Sequence, residues 1–149
     1  YEHVLEVPER ISAEGNVLEP LSDVAIDEII ELLSRWGGTG STQRPDAVAV
    51  SLLHGWRNSA HEQTLRSALA RAGFGAVTLG SDVSTAPSYL ARTQTAVVNA
   101  YLTPVLDTYL RNVQNQLGGA TVRVMTSAGS LVRAERFQPK DSLLSGPAG

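Results

Sequence analysis

Asp46-Ala47-Val48-Ala49-Val50-Ser51-Leu52-Leu53, followed by His54-Gly55-Trp56, is the stretch on which the fold turns. In an extended chain Val48, Val50 and Leu52 share one face, and Ala47, Ala49 and Leu53 share the other. A strand that is apolar on both faces is covered on both, which points to a central strand of a parallel sheet. Downstream, Leu65, Ala68, Leu69 and Ala72 recur at helical spacing, Gly73 closes that helix, and residues 76–79 supply another short strand. Strand, helix and strand in so short a span form a crossover unit.

Upstream, Val4, Leu5, Val7 and Ile11 pair with Val17-Leu18 across the turn Ala13-Glu14-Gly15-Asn16, which reads as a hairpin with Pro8 holding its first strand at an edge. Ile26, Ile29, Ile30 and Leu33 behind Ser22-Asp23 predict an amphipathic helix over residues 23–36. A flexible run, Gly37-Gly38-Thr39-Gly40-Ser41-Thr42, separates it from the central strand.

A long helix is expected next. Ser84 or Thr85 caps it, Pro87 suits its first turn, and Val98, Tyr101, Leu102, Val105, Leu106, Tyr109, Leu110 and Val113 mark its inward stripe. Pro104 inside it predicts a kink. Gly118-Gly119 ends the helix, and residues 121–126 read as a third strand of the sheet, leading into Ser127-Ala128-Gly129-Ser130. The fold class is therefore α/β, a mostly parallel sheet with crossover helices. Residues 1–149 are expected to form a single α/β domain. It comprises an N-terminal hairpin over 1–22, βα units over 23–80, a long kinked helix over 84–117, and a strand with the start of a loop over 121–149.

Composition narrows the function classes. The 149 residues are 42% hydrophobic with a net charge of -3, enough to bury a core. Lys and Arg are not clustered, so nucleic acid is not an expected partner. Zero cysteines exclude disulfides and thiolate metal sites and suit the cytoplasm. No apolar run is long enough to span a membrane. Tyr1 in place of an initiator Met, and a last loop cut where a helix should start, suggest a middle segment excised from a longer chain.

Five places carry candidate chemistry. His54 ends the central strand, where ligands of open parallel sheets gather. His61 follows seven residues later with Glu62 in the first turn of a helix; a structural role is preferred there over metal binding, for which no third ligand is evident. Ser127, Gly129 and Ser130 form a small hydroxyl-bearing turn that could present N–H groups or a nucleophile. Arg92, Thr93, Thr95 and Asn99 are expected to form a solvated face of the long helix. The closing Leu143-Leu144-Ser145-Gly146-Pro147-Ala148-Gly149 is a small-residue loop of the kind that holds phosphate ahead of a helix, or makes an ordinary tight turn.

Taken in order, several stretches resemble the hydantoinase/oxoprolinase family, specifically its hydantoinase A-type ATP-dependent subunit. They are Val7-Pro8-Glu9-Arg10-Ile11 with Gly15-Asn16-Val17-Leu18 and Pro20-Leu21; residues 47–54 followed by Asn58 and His61-Glu62; and Arg92-Thr93. Thr95-Ala96-Val97-Val98-Asn99-Ala100-Tyr101-Leu102 with Pro104 and Tyr109-Leu110, Met125-Thr126-Ser127, and residues 143–149 complete the series. The resemblance implies a ribonuclease-H-like, actin-like ATPase fold closing over ATP with Mg2+. It also implies hydrolysis of cyclic amides such as hydantoins or 5-oxoproline through phosphorylation of the amide oxygen, with ATP-dependent ketone carboxylation as the related alternative. A hydantoinase B-type subunit is the implied partner. The implied nucleotide contacts are Ser145, Gly146, Ala148 and Gly149, and the candidate catalytic residues are His54, Arg92 and Ser127.

The family's first phosphate loop, Asp followed by Gly-Gly-Thr, has no counterpart here, because Gly37-Gly38-Thr39 lacks the strand and the Asp. The segment alone is therefore not expected to hydrolyse ATP. Relatives carry an acidic residue before the helix arginine and a Ser-x-Gly-Gly turn, whereas this chain has Ser88-Tyr89-Leu90-Ala91-Arg92 and Ser127-Ala128-Gly129-Ser130. An enzyme of changed specificity, a degenerate paralogue and a non-catalytic scaffold for the partner subunit all remain open at this point.

Overall fold

The computed structural model describes residues 3–36, 44–118 and 120–142. The chain divides into two compact units, Tyr1–Val97 and Val98–Gly149. Among the described residues no helix is long and apolar enough to cross a membrane.

In the first unit β1 (Arg10–Ile11) and β2 (Val17–Glu19) pair antiparallel across the expected turn, but the first strand is shorter than expected and Val4, Leu5 and Val7 lie outside it. Gly15 makes the turn at φ +94°, a conformation that side-chain-bearing residues rarely adopt. Ser22 caps α1 (Asp23–Arg35) by accepting from Ala25 N–H at 3.2 Å, and Asp23 and Arg35 lie at the ends that suit their charges. Strand β3 (Val48–Val50) runs parallel to β4 (Val77–Leu79), with Val48 opposite Val77 and Val50 opposite Leu79. Helix α2 (Ala60–Arg71) connects them, and Gly73 follows at φ +91°.

The apolar positions that mark these elements are the ones that meet. Ile26, Ile29 and Leu33 of α1 pack with Leu65, Ala68 and Leu69 of α2, with Val50, Leu52 and Leu79 from the strand region, and with Phe74. Burying side chains such as Leu65, Leu69 and Leu79 contributes roughly 1.5–3 kcal/mol each.

A short helix, α3 (Gly80–Val83), follows β4 directly and is absent from the sequence reading. The long helix α4 (Tyr89–Gln116) contains Pro104 and begins after Ser88, whose carbonyl accepts from Arg92 N–H, rather than at Ser84 or Thr85.

In the second unit β5 (Arg123–Met125) and β6 (Leu131–Arg133) form an antiparallel hairpin, Val124 opposite Val132, followed by 3-10 turns at Ala134–Arg136 and Pro139–Ser142. Here the expected mostly parallel sheet is corrected. Among the described residues there are three two-stranded sheets, and only β3–β4 is parallel. Residues 123–125 find a local partner six to ten residues on, so they do not extend the β3–β4 sheet. The architecture is mixed α/β with small sheets.

The expected inward stripe of α4 is also corrected. Tyr101, Val105 and Tyr109 are exposed, whereas Arg92, Ala96, Asn99 and Ala100, at i, i+4, i+7 and i+8, are buried. The polar face that was expected to be solvated is thus partly interior at Arg92 and Asn99. Both side chains have backbone groups to satisfy, and that outweighs their polarity. Asn99 Oδ1 accepts from Lys140 N–H at 3.0 Å within the second unit.

Candidate functional site

The parallel pair gives the first unit one edge where strand ends, loops and buried polar groups converge. The chain leaves β3 through Ser51 and Leu52 into a turn over residues 53–57, and leaves β4 straight into α3. Neither exit can be completed by sheet pairing, so its backbone groups need other partners. Two charged side chains supply them.

Glu62, in the first turn of α2, is fully buried. Its Oε1 accepts from Leu52 N–H and its Oε2 from Ser81 N–H, both at 2.9 Å, so one carboxylate joins the two strand exits. Gly55 makes room for it, since a Cβ there would lie 2.3 Å from Oε1. Arg92, in the first turn of α4, is also fully buried. Its Nη2 donates to Leu52 O at 2.5 Å and Leu53 O at 2.9 Å, and its Nη1 to Ala86 O at 3.1 Å. Arg92 Nε and Ser81 Oγ are buried with no hydrogen-bond partner among the described residues. Beside them Ser51 Oγ and Thr93 Oγ1 are 2.8 Å apart, and a Cβ on Gly80 would crowd both Ser51 Oγ, at 2.9 Å, and Arg92 Cγ, at 3.3 Å.

His54 lies in the turn, half-buried. Its carbonyl accepts from Arg57 N–H at 2.9 Å and Asn58 N–H at 3.1 Å, while its ring makes no hydrogen bond among the described residues. The β1–β2 turn is tied to this corner. Asn58 Nδ2 donates to Gly15 O at 2.9 Å. The Glu14 carboxyl is held below its ordinary range, first by a hydrogen bond from the Ser12 side chain, then by its own backbone N–H, with smaller contributions from His54 and Arg57. His61, next to Glu62, faces the other way. Its Nδ1 is 2.6 Å from Glu9 Oε2 and its Nε2 accepts from Leu21 N–H at 3.5 Å, so the proton sits on Nδ1 and is donated to Glu9.

The structure therefore brings His54 and Arg92 to one corner, Arg92 holding the two carbonyls that precede His54. Ser127 is in the second unit, exposed at the β5–β6 hairpin turn and not at the end of a parallel strand. Its N–H donates to Asp141 O at 2.7 Å, Gly129 turns at φ +78°, and among the described residues its hydroxyl makes no hydrogen bond to a histidine or carboxylate. Ser145, Gly146, Ala148 and Gly149 lie outside the described residues. Two concavities in the second unit, of about 260 and 340 Å³, are lined by residues such as Asp107 and Glu135 or Arg123 and Arg136, and include none of these candidates. Glu62 and Gly55 were not identified as a pair from sequence. A glycine seven residues before a helix-start carboxylate was the available signal.

Several of the first unit's stretches that carry the family resemblance are thus in contact: Glu9 with His61, Gly15 with Asn58, Leu52 with Glu62 and Arg92, and Ser51 with Thr93. The sequence model of the hydantoinase/oxoprolinase N-terminal region matches residues 1–73, and that of hydantoinase/oxoprolinase matches residues 92–149. The chain belongs to the hydantoinase/oxoprolinase family.

Among its relatives, 5-oxoprolinase of Saccharomyces cerevisiae is 36% identical over 106 residues, covering 69% of this chain and 8% of the yeast protein. Caprolactamase subunit alpha of Pseudomonas jessenii is 32% identical over 147 residues, 93% of this chain and 20% of that subunit. The crystal structure of ATP-dependent caprolactamase from Pseudomonas jessenii superposes with a TM-score of 0.79 at 31% identity, over 95% of this chain and 20% of that one. Nucleotide-free acetone carboxylase superposes with a TM-score of 0.73 at 20% identity over the same shares, a likeness of fold. This hydantoinase/oxoprolinase-family chain therefore spans a fifth or less of the length of these relatives.

Proposed function

We propose that the whole protein to which these residues belong is an ATP-dependent hydrolase that opens cyclic amides, with hydantoins, 5-oxoproline or a larger lactam as the substrate class. The observation that carries the reading is the superposition on ATP-dependent caprolactamase at 31% identity over 95% of the chain. The yeast 5-oxoprolinase relationship supports the same reaction class. In this account the segment is a middle part of an actin-like ATPase fold, works in the cytoplasm, and meets a hydantoinase B-type subunit, for which the subunit naming of the caprolactamase relative is the support.

ATP supplies the phosphoryl group that turns the unreactive amide oxygen into part of a leaving group. Among the described residues no three His, Cys, Asp or Glu side chains gather to hold a metal, so Mg2+ is assigned to the nucleotide phosphates and to residues elsewhere. The buried charges at the β3–β4 edge are committed to backbone groups, and His54, whose ring is unengaged among the described residues, is proposed as a group that exchanges a proton with substrate. Arg92 works behind it as a support for the turn. Ser145, Gly146, Ala148 and Gly149 are proposed as backbone contacts to phosphate.

Phosphate release by the full-length protein with its partner subunit and Mg-ATP tests the reading, using 5-oxoproline, hydantoins, caprolactam, and ketones with bicarbonate. Release stimulated by a cyclic amide supports it. Release with a ketone and bicarbonate would move the assignment to a carboxylase, and absence of ATP binding would move it to a scaffold subdomain.

A further inference from the structure

We propose that Glu62 and Arg92 act together as positioning residues, holding the turn over residues 53–57, and His54 with it, in register with the reaction cleft; this rests on reading that turn as a cleft edge. The two side chains come from different helices and meet at a single residue, on the two peptide units that flank it. Leu52 N–H is taken by Glu62 Oε1 and Leu52 C=O by Arg92 Nη2. Each then extends the hold in its own direction, Glu62 to Ser81 N–H behind β4 and Arg92 to the carbonyls of Leu53 and Ala86.

The turn closes on the same atoms. Gly55 N–H donates to Leu52 O at 3.2 Å, so the carbonyl gripped by Arg92 also anchors the first bond of the turn. Gly55 is bare toward the Glu62 carboxylate, and Gly80 is bare toward the Arg92 stem. A side chain at Gly55 would displace the Glu62 carboxylate, and one at Gly80 would press on Ser51 Oγ and on the Arg92 stem.

Burying charge is a poor way to gain stability, because desolvation costs several kcal/mol per ion and well-packed apolar residues often serve better. What a carboxylate and a guanidinium offer is direction: two or more short bonds with fixed geometry on one backbone segment. That is worth having where an angstrom of drift in a reacting group costs rate. The residue after the doubly held Leu52-Leu53 segment is His54.

The experiment uses the full-length protein with its partner subunit, comparing wild type, Glu62→Gln and Arg92→Lys. Glu62→Gln keeps the shape but turns one acceptor into a donor facing a donor. Arg92→Lys keeps the charge but cannot reach three carbonyls in the same fork geometry. The expected result is a kcat for amide-stimulated phosphate release lowered roughly ten- to a hundredfold, with KM for ATP changed by less than about twofold. Hydrogen exchange should accelerate in peptides covering residues 51–58 and remain unchanged over residues 65–71. A lowered melting temperature with an unchanged kcat per folded enzyme, or unchanged exchange over residues 51–58, would overturn the proposal. If wild type shows no amide-stimulated release, the proposed function fails and the exchange comparison alone decides whether the pair holds the turn. If Glu62→Gln does not fold, Arg92→Lys carries both readouts.

Discussion

His61 Nδ1 lies 2.6 Å from Glu9 Oε2, joining the segment before the first hairpin to a helix fifty-two residues later. Both side chains are about nine-tenths buried, so the pair is a charge-assisted bond shielded from water. His61→Leu leaves Glu9 buried without that partner and should destabilise the protein by about 3 kcal/mol. Replacing both residues with apolar ones should cost less than the single change. Denaturant unfolding of the two singles and the double measures the coupling, and an additive result would contradict it.

Gly55→Ala should destabilise by roughly 1–3 kcal/mol, because the added methyl would occupy the place of Glu62 Oε1. Gly75→Ala meets nothing within 4 Å and serves as the control. Thermal unfolding of the two variants should separate them clearly. Equal melting temperatures would contradict the packing of Glu62 against Gly55.

Asn99 is buried in α4 and accepts from the backbone N–H of Lys140. Asn99→Ala strands that donor and should cost on the order of 1–3 kcal/mol, measured as a shift of the denaturation midpoint. A change near zero would mean that the turn at Pro139–Ser142 is not held by this bond.

The reach of sequence reasoning differs along the chain for physical reasons. Helix α1, the β3–α2–β4 unit and the β1–β2 turn were legible because large apolar residues at regular spacing, and one glycine turn, decide them locally. The buried face of α4 was not legible, because there the deciding forces are bonds from Arg92 and Asn99 to backbone groups in distant loops, while Tyr101 and Tyr109 stay exposed. The partner of β5 was missed because Leu131–Arg133 is a short strand with its outer residues exposed and little apolar patterning. At the site, His54 and Arg92 were identifiable as types at suggestive places. That Arg92 would hold the backbone before His54, and that Glu62 would hold its other side, depends on contacts between segments that no spacing encodes.

Ser12 is the largest of the influences that hold the Glu14 carboxyl below its ordinary range, ahead of Glu14's own backbone N–H. The hydrogen bond that favours the ionised carboxylate is present in the folded chain and absent in the unfolded one, so its contribution is complete above the unfolded pKa and is lost as pH falls through the lowered folded value. Ser12→Ala should move the Glu14 titration, followed by carbon NMR of the carboxyl, up toward the ordinary glutamate range. An unmoved titration would contradict the Ser12 assignment.

The central claim is that the turn after β3 forms an edge of the reaction cleft, and His54→Ala in the full-length protein with its partner subunit tests it most directly. The account predicts that kcat for amide-stimulated phosphate release falls by roughly a hundredfold, while the melting temperature stays within about 2 °C of wild type. An unchanged kcat with a lowered melting temperature would contradict it, and would make His54 a residue of the fold alone.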